Sequence, residues 1–376
     1  MIKRIIENNI KSKLFGGKVI LIIGPRQSGK TTLLKQILAS YPENSAYYNC
    51  DELDVRDMFS SQNSSLLRSV IGTKKLILLD EAQRIDNAGL NLKIIVDTIP
   101  NVQVIASGSS AFELSDKLNE PLTGRKWEYN LHPLAFRELV EHTELMDEIK
   151  HLKLRLIYGA YPEVVTHQGS EQEILANLSS SYLYKDVFSL HDLRRPELVE
   201  KLLRALAFQV SSEVSFSELA QTVGSDRATV ERYIGILERA FVVFRLPNYS
   251  TNLRNEIKRS RKIYFWDNGI RNALISDFRP VELRDDIGKL WENYIVSEFH
   301  KQRDYHHLLA QPYFWRSKTS GEMDYLEVQN KQIIAYEIKW NPKKTAGARA
   351  FLNAYPQAEI KLVNPGNYFQ YLQEAK

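Results

Sequence analysis

A glycine-rich loop close to the N-terminus limits the possible folds of this chain more than any other feature. Residues 24–31 follow the pattern Gly-x-x-x-x-Gly-Lys-Thr, directly after the apolar run Val19–Ile23 and directly before a helical stretch. In such a strand–loop–helix unit, glycines let backbone N–H groups surround phosphates, and the helix N-terminus adds partial positive charge. A glycine-rich turn formed by chance would lack this context. The loop therefore predicts a nucleotide-binding site.

The residues of this loop have distinct predicted roles. We expect the Lys30 ammonium to reach the β and γ phosphates, and the Thr31 hydroxyl to bind Mg²⁺. Other loop residues would contribute mainly backbone contacts. The expected nucleotide-binding residues are Gly24, Pro25, Arg26, Gln27, Ser28, Gly29, Lys30, Thr31 and Thr32.

A second motif follows the apolar run at residues 76–79, which predicts a buried strand. This strand delivers Asp80 and Glu81 to its carboxyl end, where ligands bind in open α/β sheets. We expect Asp80 to hold Mg²⁺ through its water shell and Glu81 to activate the attacking water as a general base.

Two observations favour ATP over GTP. A strand signal at residues 46–49 lies between the two motifs, and an extra strand separating the motifs is typical of the ATPase branch of P-loop proteins. A GTPase would need an Asn-Lys-x-Asp base reader, but the pair Asn330-Lys331 is followed by Gln332-Ile333. We therefore expect an ATPase with ATP and Mg²⁺ as cofactors.

Two further side chains could complete this site. Ser107 ends the next strand signal and could sense the γ phosphate or position the water, although a helix N-cap is an equal alternative. Arg125 could act as an arginine finger across a subunit interface in a homo-oligomer. A plain surface salt bridge is the alternative for Arg125.

Composition restricts the class of protein. The chain has 376 residues, 43% of them hydrophobic and 26% charged, with a net charge of +4. The single cysteine, Cys50, excludes an internal disulfide and fits a reducing compartment. No apolar run reaches the ~18 residues that a membrane span needs, and the N-terminus does not read as a secretory signal. We expect a cytoplasmic protein without a membrane partner.

Changes in pattern along the chain predict four parts. The first part, residues 1–135, alternates short apolar runs with helical stretches, which predicts a parallel sheet covered by helices on both faces. A helical connector would follow at 136–210, a winged helix-turn-helix at 211–280 and an α/β domain at 281–376. The predicted fold class is therefore α/β and multidomain.

A helix-turn-helix is predicted near residue 215. A capping box at 215–218 opens one helix, and a second begins at about residue 226. The second helix would bury Val230, Ile234 and Leu237 and expose Arg227, Thr229, Arg232 and Tyr233. Basic residues follow, which suits contact with DNA phosphates; the alternative is a module that packs only against protein. The basic residues of this segment are Arg254, Lys258, Arg259, Arg261 and Lys262.

The C-terminal part predicts a hairpin that carries acids. With a turn at Asn330-Lys331, strand pairing would place Asp324 opposite Glu337 and Glu322 opposite Lys339. Facing carboxylates repel each other, and a divalent metal would remove that repulsion; oxygen ligands select Mg²⁺ or Mn²⁺. Lys339 could orient the attacking water. The alternative is a solvated, charged sheet face.

The order of the motifs resembles a known family. Segments 24–34, 79–83, 107–110, 122–125, 159–164 and 322–339 resemble the prokaryotic AAA+-type ATPases that carry a C-terminal module of unknown function. This resemblance implies a winged helix and a nuclease-like C-terminal domain. Asp324, with the element Glu337-Ile338-Lys339, resembles the PD-(D/E)xK nucleases, which implies a restriction-endonuclease-like fold with Glu292 on the preceding helix as a further metal ligand. Met323 departs from the Pro of that motif.

Two functions are consistent with the sequence. The first is an ATP-hydrolysing protein that binds and processes DNA, with a metal-dependent deoxyribonuclease site at Asp324, Glu337 and Lys339. The second is an ATP-dependent regulatory switch that acts on a protein partner and uses an inactive nuclease-like domain for binding. Binding of both metal and DNA would favour the first.

Overall fold

The computed structural model describes residues 2–108, 122–182, 195–250, 261–317, 321–341 and 346–373. The chain divides into two compact units. The first contains most of the first 134 residues, and the second contains most of the remainder. In the described residues, no helix combines the length and the apolar character that a membrane crossing requires.

The first unit is built on a parallel five-stranded sheet in the order β2-β3-β4-β1-β5. All residues of β1, β3 and β4 are buried, as expected for central strands covered on both faces. The predicted parallel α/β sheet is therefore confirmed. The strands are β1 (Val19–Ile23), β2 (Ser45–Asn49), β3 (Leu76–Asp80), β4 (Gln103–Gly108) and β5 (Lys126–Asn130).

The strand that lies between the two nucleotide motifs in the sequence is β2, but the strand that lies between them in the sheet is β4. In the sheet, β4 lies between β1 and β3, whereas β2 forms the edge next to β3. The burial of the two strands agrees with this placement, because β4 is wholly buried and β2 is only partly buried. The helices of this unit are α1 (Ile5–Lys13), α2 (Lys30–Ser40), α3 (Leu53–Phe59), α4 (Ser64–Ile71) and α5 (Ala88–Thr98).

The second unit begins with helices and continues into a small three-stranded antiparallel sheet of order β6-β8-β7. Its helices up to this sheet are α6 (Phe136–His142), α7 (Leu145–Tyr158), α8 (Pro162–Thr166), α9 (Glu171–Asn177), α10 (Pro196–Phe208), α11 (Phe216–Val223) and α12 (Arg227–Arg239). The strands are β6 (Glu213–Val214), β7 (Val243–Pro247) and β8 (Arg261–Phe265).

Helix α11 begins and ends as its sequence predicts. The Ser215 side chain accepts a hydrogen bond from the Glu218 backbone N–H at 3.3 Å, and Gly224 takes a left-handed conformation with φ 70°. The prediction that Tyr233 faces outward is wrong, because Tyr233 is 2% exposed. It lies three residues after Val230, on the same buried face of α12.

The basic segment is only partly described. Arg254, Lys258 and Arg259 lie outside the described residues. Lys262 was expected to face phosphates, but its side chain is 2% exposed on β8. This expectation is therefore corrected: Lys262 belongs to the interior of the second unit.

The C-terminal part of this unit is a four-stranded sheet of order β12-β11-β10-β9. The hairpin turn is where the sequence places it, with Asn330 and Lys331 both left-handed at φ 50° and 68°. Tyr325 pairs with Tyr336, and this register places Asp324 opposite Glu337, as predicted. The elements are α13 (Asn268–Leu274), α14 (Ile287–Tyr305), β9 (Gln311–Arg316), β10 (Glu322–Gln329), β11 (Gln332–Ile338), α15 (Ala346–Ala354), β12 (Glu359–Val363) and α16 (Tyr368–Gln373).

Candidate functional site

The glycine-rich loop joins β1 to α2 in the first unit. A Cβ atom at Gly24 would lie 2.2 Å from the Leu131 carbonyl oxygen, so only glycine fits there. Lys30 is 4% exposed, and its ammonium donates to the carbonyl oxygens of Gly24 at 2.9 Å and Pro25 at 2.8 Å. The Ser28 hydroxyl is buried without a hydrogen-bond partner in the described part of the chain. The loop therefore holds polar donors that a phosphate could engage.

A buried arginine before α1 supports this loop. The Arg4 guanidinium is 4% exposed and donates to the Ser28 carbonyl at 2.5 Å and to the His132 carbonyl at 2.7 Å. It thereby ties the loop to the chain that follows β5. Sequence reasoning missed Arg4, because a single arginine at a helix start carries no motif.

Three hydroxyl groups converge on the Asp80 carboxylate at the end of β3. The Thr31 hydroxyl donates to Oδ2 at 2.6 Å and the Tyr47 hydroxyl donates to the same oxygen at 2.8 Å. The Ser107 hydroxyl donates to Oδ1. Burial and the neighbouring Asp80 raise the pKa of Tyr47 well above its ordinary value, so its hydroxyl keeps its proton. Tyr47 was not predicted as part of this site.

Glu81 stands next to this group in a strained conformation. Its φ of 55° lies in the left-handed region, which costs on the order of 1–3 kcal/mol for a residue with a side chain. The Glu81 backbone N–H donates to the Ser107 hydroxyl at 3.3 Å, and its Oε2 accepts from the Gln83 amide at 2.5 Å. Strain of this kind clusters at functional sites.

The oxygen atoms of this site fit the Mg²⁺ ion that accompanies ATP. Thr31 and Thr32 lie in the first turn of α2 and are exposed, while Asp80 is 3% exposed. The Thr31 hydroxyl and the Asp80 carboxylate are hard ligands in direct contact with each other. These two side chains would hold Mg²⁺, which would neutralise phosphate charge when bound.

Arg125 lies away from this site. It directly precedes β5, and its carbonyl accepts a hydrogen bond from the Val19 N–H at the start of β1. The loop at residues 24–31 follows the opposite end of β1, so Arg125 cannot reach a nucleotide bound in its own subunit. Its guanidinium pairs with Asp97 at 2.7 Å, and both side chains are partly exposed.

The C-terminal acids converge in the second unit. We use the name acid cluster for Glu292, Glu322, Asp324 and Glu337. The Lys339 ammonium lies 3.0 Å from Asp324 Oδ2 and 3.7 Å from Glu337 Oε1. Asp324 Oδ2 also accepts the Ile338 backbone N–H at 2.8 Å.

A second lysine enters the acid cluster from β8. The Lys262 ammonium lies 2.8 Å from Glu292 Oε1 and 2.5 Å from Glu322 Oε1. The Tyr264 hydroxyl donates to the same Glu292 oxygen at 2.7 Å. Burial acts to lower the pKa of Lys262, but attraction to Glu292, Asp324 and Glu322 raises it above its ordinary value, so this lysine stays charged.

Burial dominates the protonation of two acids. It raises the pKa of Glu292 above its ordinary value, and the attraction of Lys262 offsets only part of that effect. Burial also raises the pKa of Glu337, with Lys339 acting in the opposite direction. The Glu337 Oε2 atom is buried and has no hydrogen-bond partner among the described residues.

The acid cluster in this arrangement does not fit a divalent ion. Such an ion needs several carboxylate and water oxygens within about 2.0–2.6 Å. The two ammonium groups contact all four acids between them, and Glu337 Oε2 is buried without a hydrogen-bond partner in the described residues. Across the described ranges, no three His, Cys, Asp or Glu side chains form a group that could hold a metal. The predicted ligands Glu292, Asp324 and Glu337 are brought together, but with lysines among them.

Comparison with known families defines the first unit. A family described as "AAA domain" matches residues 16–140. Two families described as domains of unknown function, DUF8612 and DUF4143, match residues 149–280 and 287–375. With the parallel sheet and the glycine-rich loop, the first match defines an AAA-type P-loop ATPase domain at the N-terminus.

Two relatives match nearly the whole length of this chain. An uncharacterized protein of Mycobacterium tuberculosis is 26% identical over 96% of this chain and 79% of its own length. One of Methanocaldococcus jannaschii is 24% identical over 96% of this chain and 83% of its own length.

Similarity to solved structures is weak. The Holliday junction branch migration motor RuvB of Thermotoga maritima gives a TM-score of 0.36 at 18% identity, covering 65% of this chain and 90% of that chain. A Drosophila ORC structure bound to GC-rich DNA and Cdc6 gives 0.26 at 12% identity, covering 72% of this chain and 92% of that chain.

Proposed function

We propose that this protein hydrolyses ATP at its first unit and binds DNA through its second. The observation that carries the ATPase part is the convergence of Thr31, Tyr47 and Ser107 on Asp80 beside the glycine-rich loop. We propose the four-part division 1–135, 136–210, 211–280 and 281–376, with the third part a winged helix. ATP, Mg²⁺ and DNA are the proposed partners.

The proposed chemistry assigns one task to each side chain of the ATPase site. Lys30 would exchange its bonds to the Gly24 and Pro25 carbonyls for bonds to phosphate oxygens. Glu81 would take the proton of the attacking water, and Ser107 would hold both the Asp80 carboxylate and the Glu81 backbone in place. Release of Glu81 from Gln83 would free its carboxylate for that task.

DNA binding is proposed from the order and the charge of the elements in the second unit. The elements follow one another as α10-β6-α11-α12-β7-β8, which is the order of a winged helix. Arg227 and Arg232 of α12 are exposed. Arg261 begins β8, directly after the basic residues at positions 254–259. Exposed arginines on the second helix of such a pair are placed to reach the DNA backbone and base edges.

We expect the double substitution of Arg227 and Arg232 by Ala to weaken DNA binding by about tenfold or more at low salt. Each lost phosphate contact should also lower the slope of log K against log salt by about one. Fluorescence anisotropy on labelled duplex DNA at several salt concentrations measures both. Lys150→Ala, an exposed lysine on α7, serves as the control and should leave binding unchanged. Equal binding by the double variant and the wild type contradicts the proposal and favours the switch that acts on a protein partner.

Arg125 is proposed to act only across a subunit interface. If it does, the ATPase rate per subunit rises with protein concentration. Arg125→Ala subunits mixed with wild type should then lower the rate by more than the fraction of variant subunits in the mixture. Asp97→Ala, which removes the ion pair and keeps Arg125, should retain the rate. A rate independent of concentration, from a chain that sediments as a monomer, contradicts this role.

A further inference from the structure

A lysine from one sheet is built into the acid cluster of another. Lys262 lies on β8 of the three-stranded sheet, whereas Glu322, Asp324 and Glu337 lie on β10 and β11 of the four-stranded sheet. The Lys262 ammonium bridges Glu292 and Glu322 at 2.8 and 2.5 Å. It is therefore an internal part of the cluster.

The backbone of Lys262 is held on both sides. In the three-stranded sheet, Lys262 pairs with Glu213 of β6 and with Leu246 of β7. Its ammonium also lies 5.5 Å from the centre of the Phe314 ring on β9. With 2% of the side chain exposed, Lys262 is shielded from solvent.

The two lysines divide the four acids into pairs. Lys262 contacts Glu292 and Glu322, and Lys339 contacts Asp324 and Glu337. A divalent ion placed among these carboxylates would meet a fixed, buried ammonium close by, and like charges in a poorly hydrated interior repel strongly. The chain already supplies two positive charges to the four acids, one of them from the buried Lys262 ammonium.

We propose that Lys262 is a built-in counter-ion that takes the place of a divalent cation in the acid cluster, so that this domain is closed to metal by its own side chain. A neutral residue at position 262 then opens a divalent-cation site. This inference is independent of the ATPase and DNA-binding proposals.

The test is Mn²⁺ binding to the full chain without nucleotide. Calorimetry and the electron paramagnetic resonance signal of free Mn²⁺ both measure this binding. We expect wild type to show no saturable site that depends on Glu337. Lys262→Met should gain one site that is at least about tenfold tighter than any binding to wild type. Lys262→Arg keeps the charge and should gain nothing, and Lys262→Met with Glu337→Gln should lose the gain.

Two outcomes overturn the proposal. One is tight Mn²⁺ binding by wild type that Glu337→Gln or Glu292→Gln abolishes, which would show that the acids hold a metal with Lys262 in place. The other is a folded Lys262→Met variant without any gain in Mn²⁺ binding. If Lys262→Met does not fold, Lys262→Gln replaces it, and the wild-type titration alone can still contradict the inference.

Discussion

We expect Lys30→Ala and Glu81→Gln to stop ATP turnover in two different ways. Lys30→Ala removes a buried ammonium placed to bind phosphate oxygens, so ATP affinity should fall by about tenfold or more. Glu81→Gln removes the proposed base and leaves the phosphate loop intact. ATP should therefore bind with nearly wild-type affinity, while the hydrolysis rate falls by about 10²–10⁴-fold.

Binding of a fluorescent ATP analogue and steady-state phosphate release, measured on the same preparations, separate the two effects. Gln83→Ala is the matched control for Glu81, because it removes the hydrogen bond that holds the Glu81 carboxylate and keeps the base itself. It should lower the hydrolysis rate far less than Glu81→Gln does. Equal loss of ATP binding in Lys30→Ala and Glu81→Gln would defeat the assignment of Glu81 as the base.

The second large effect concerns Arg4, which no motif marks. Arg4→Met removes the hydrogen bonds to the Ser28 and His132 carbonyls and leaves those buried oxygens without these donors. We expect a loss of roughly 2–5 kcal/mol in the free energy of unfolding and about tenfold weaker ATP binding, because the loop loses its support.

Denaturant unfolding of the full chain and ATP titration measure these two quantities. Arg4→Lys should recover part of both, since the ammonium keeps the charge but lacks the planar fork that directs two N–H groups at separate carbonyls. Lys3→Met, at the exposed neighbouring position, should change neither. Wild-type stability and wild-type ATP affinity in Arg4→Met would contradict the role of Arg4 in supporting the loop at residues 24–31.

Local patterns predicted the parts of the sites that are continuous in sequence. The loop at residues 24–31 and the strand that ends at Asp80 follow from apolar runs and glycine positions alone. The hairpin register follows from the turn at Asn330-Lys331, since strand side chains alternate with a period of two. Thr31 and Asp80, and likewise Asp324 and Glu337, come together for these reasons.

Contacts between distant segments could not be predicted in this way. Tyr47 reaches Asp80 because β2 pairs with β3, and Lys262 reaches Glu292 because β8 packs beside α14. Neither pairing leaves a mark in the sequence near the residue itself. Tyr233 could have been placed correctly, because its spacing from Val230 puts it on the buried face of α12.

Single-turnover phosphate release from bound ATP tests the central claim of an ATP-hydrolysing site most directly. The full chain is held in excess over ATP, and Mg²⁺ starts the reaction. We predict that wild type converts its bound ATP to ADP and phosphate only when Mg²⁺ is present, and that Glu81→Gln keeps the bound ATP intact over the same period. Bound ATP that stays intact in wild type with Mg²⁺, or that Glu81→Gln hydrolyses at the wild-type rate, would contradict the account.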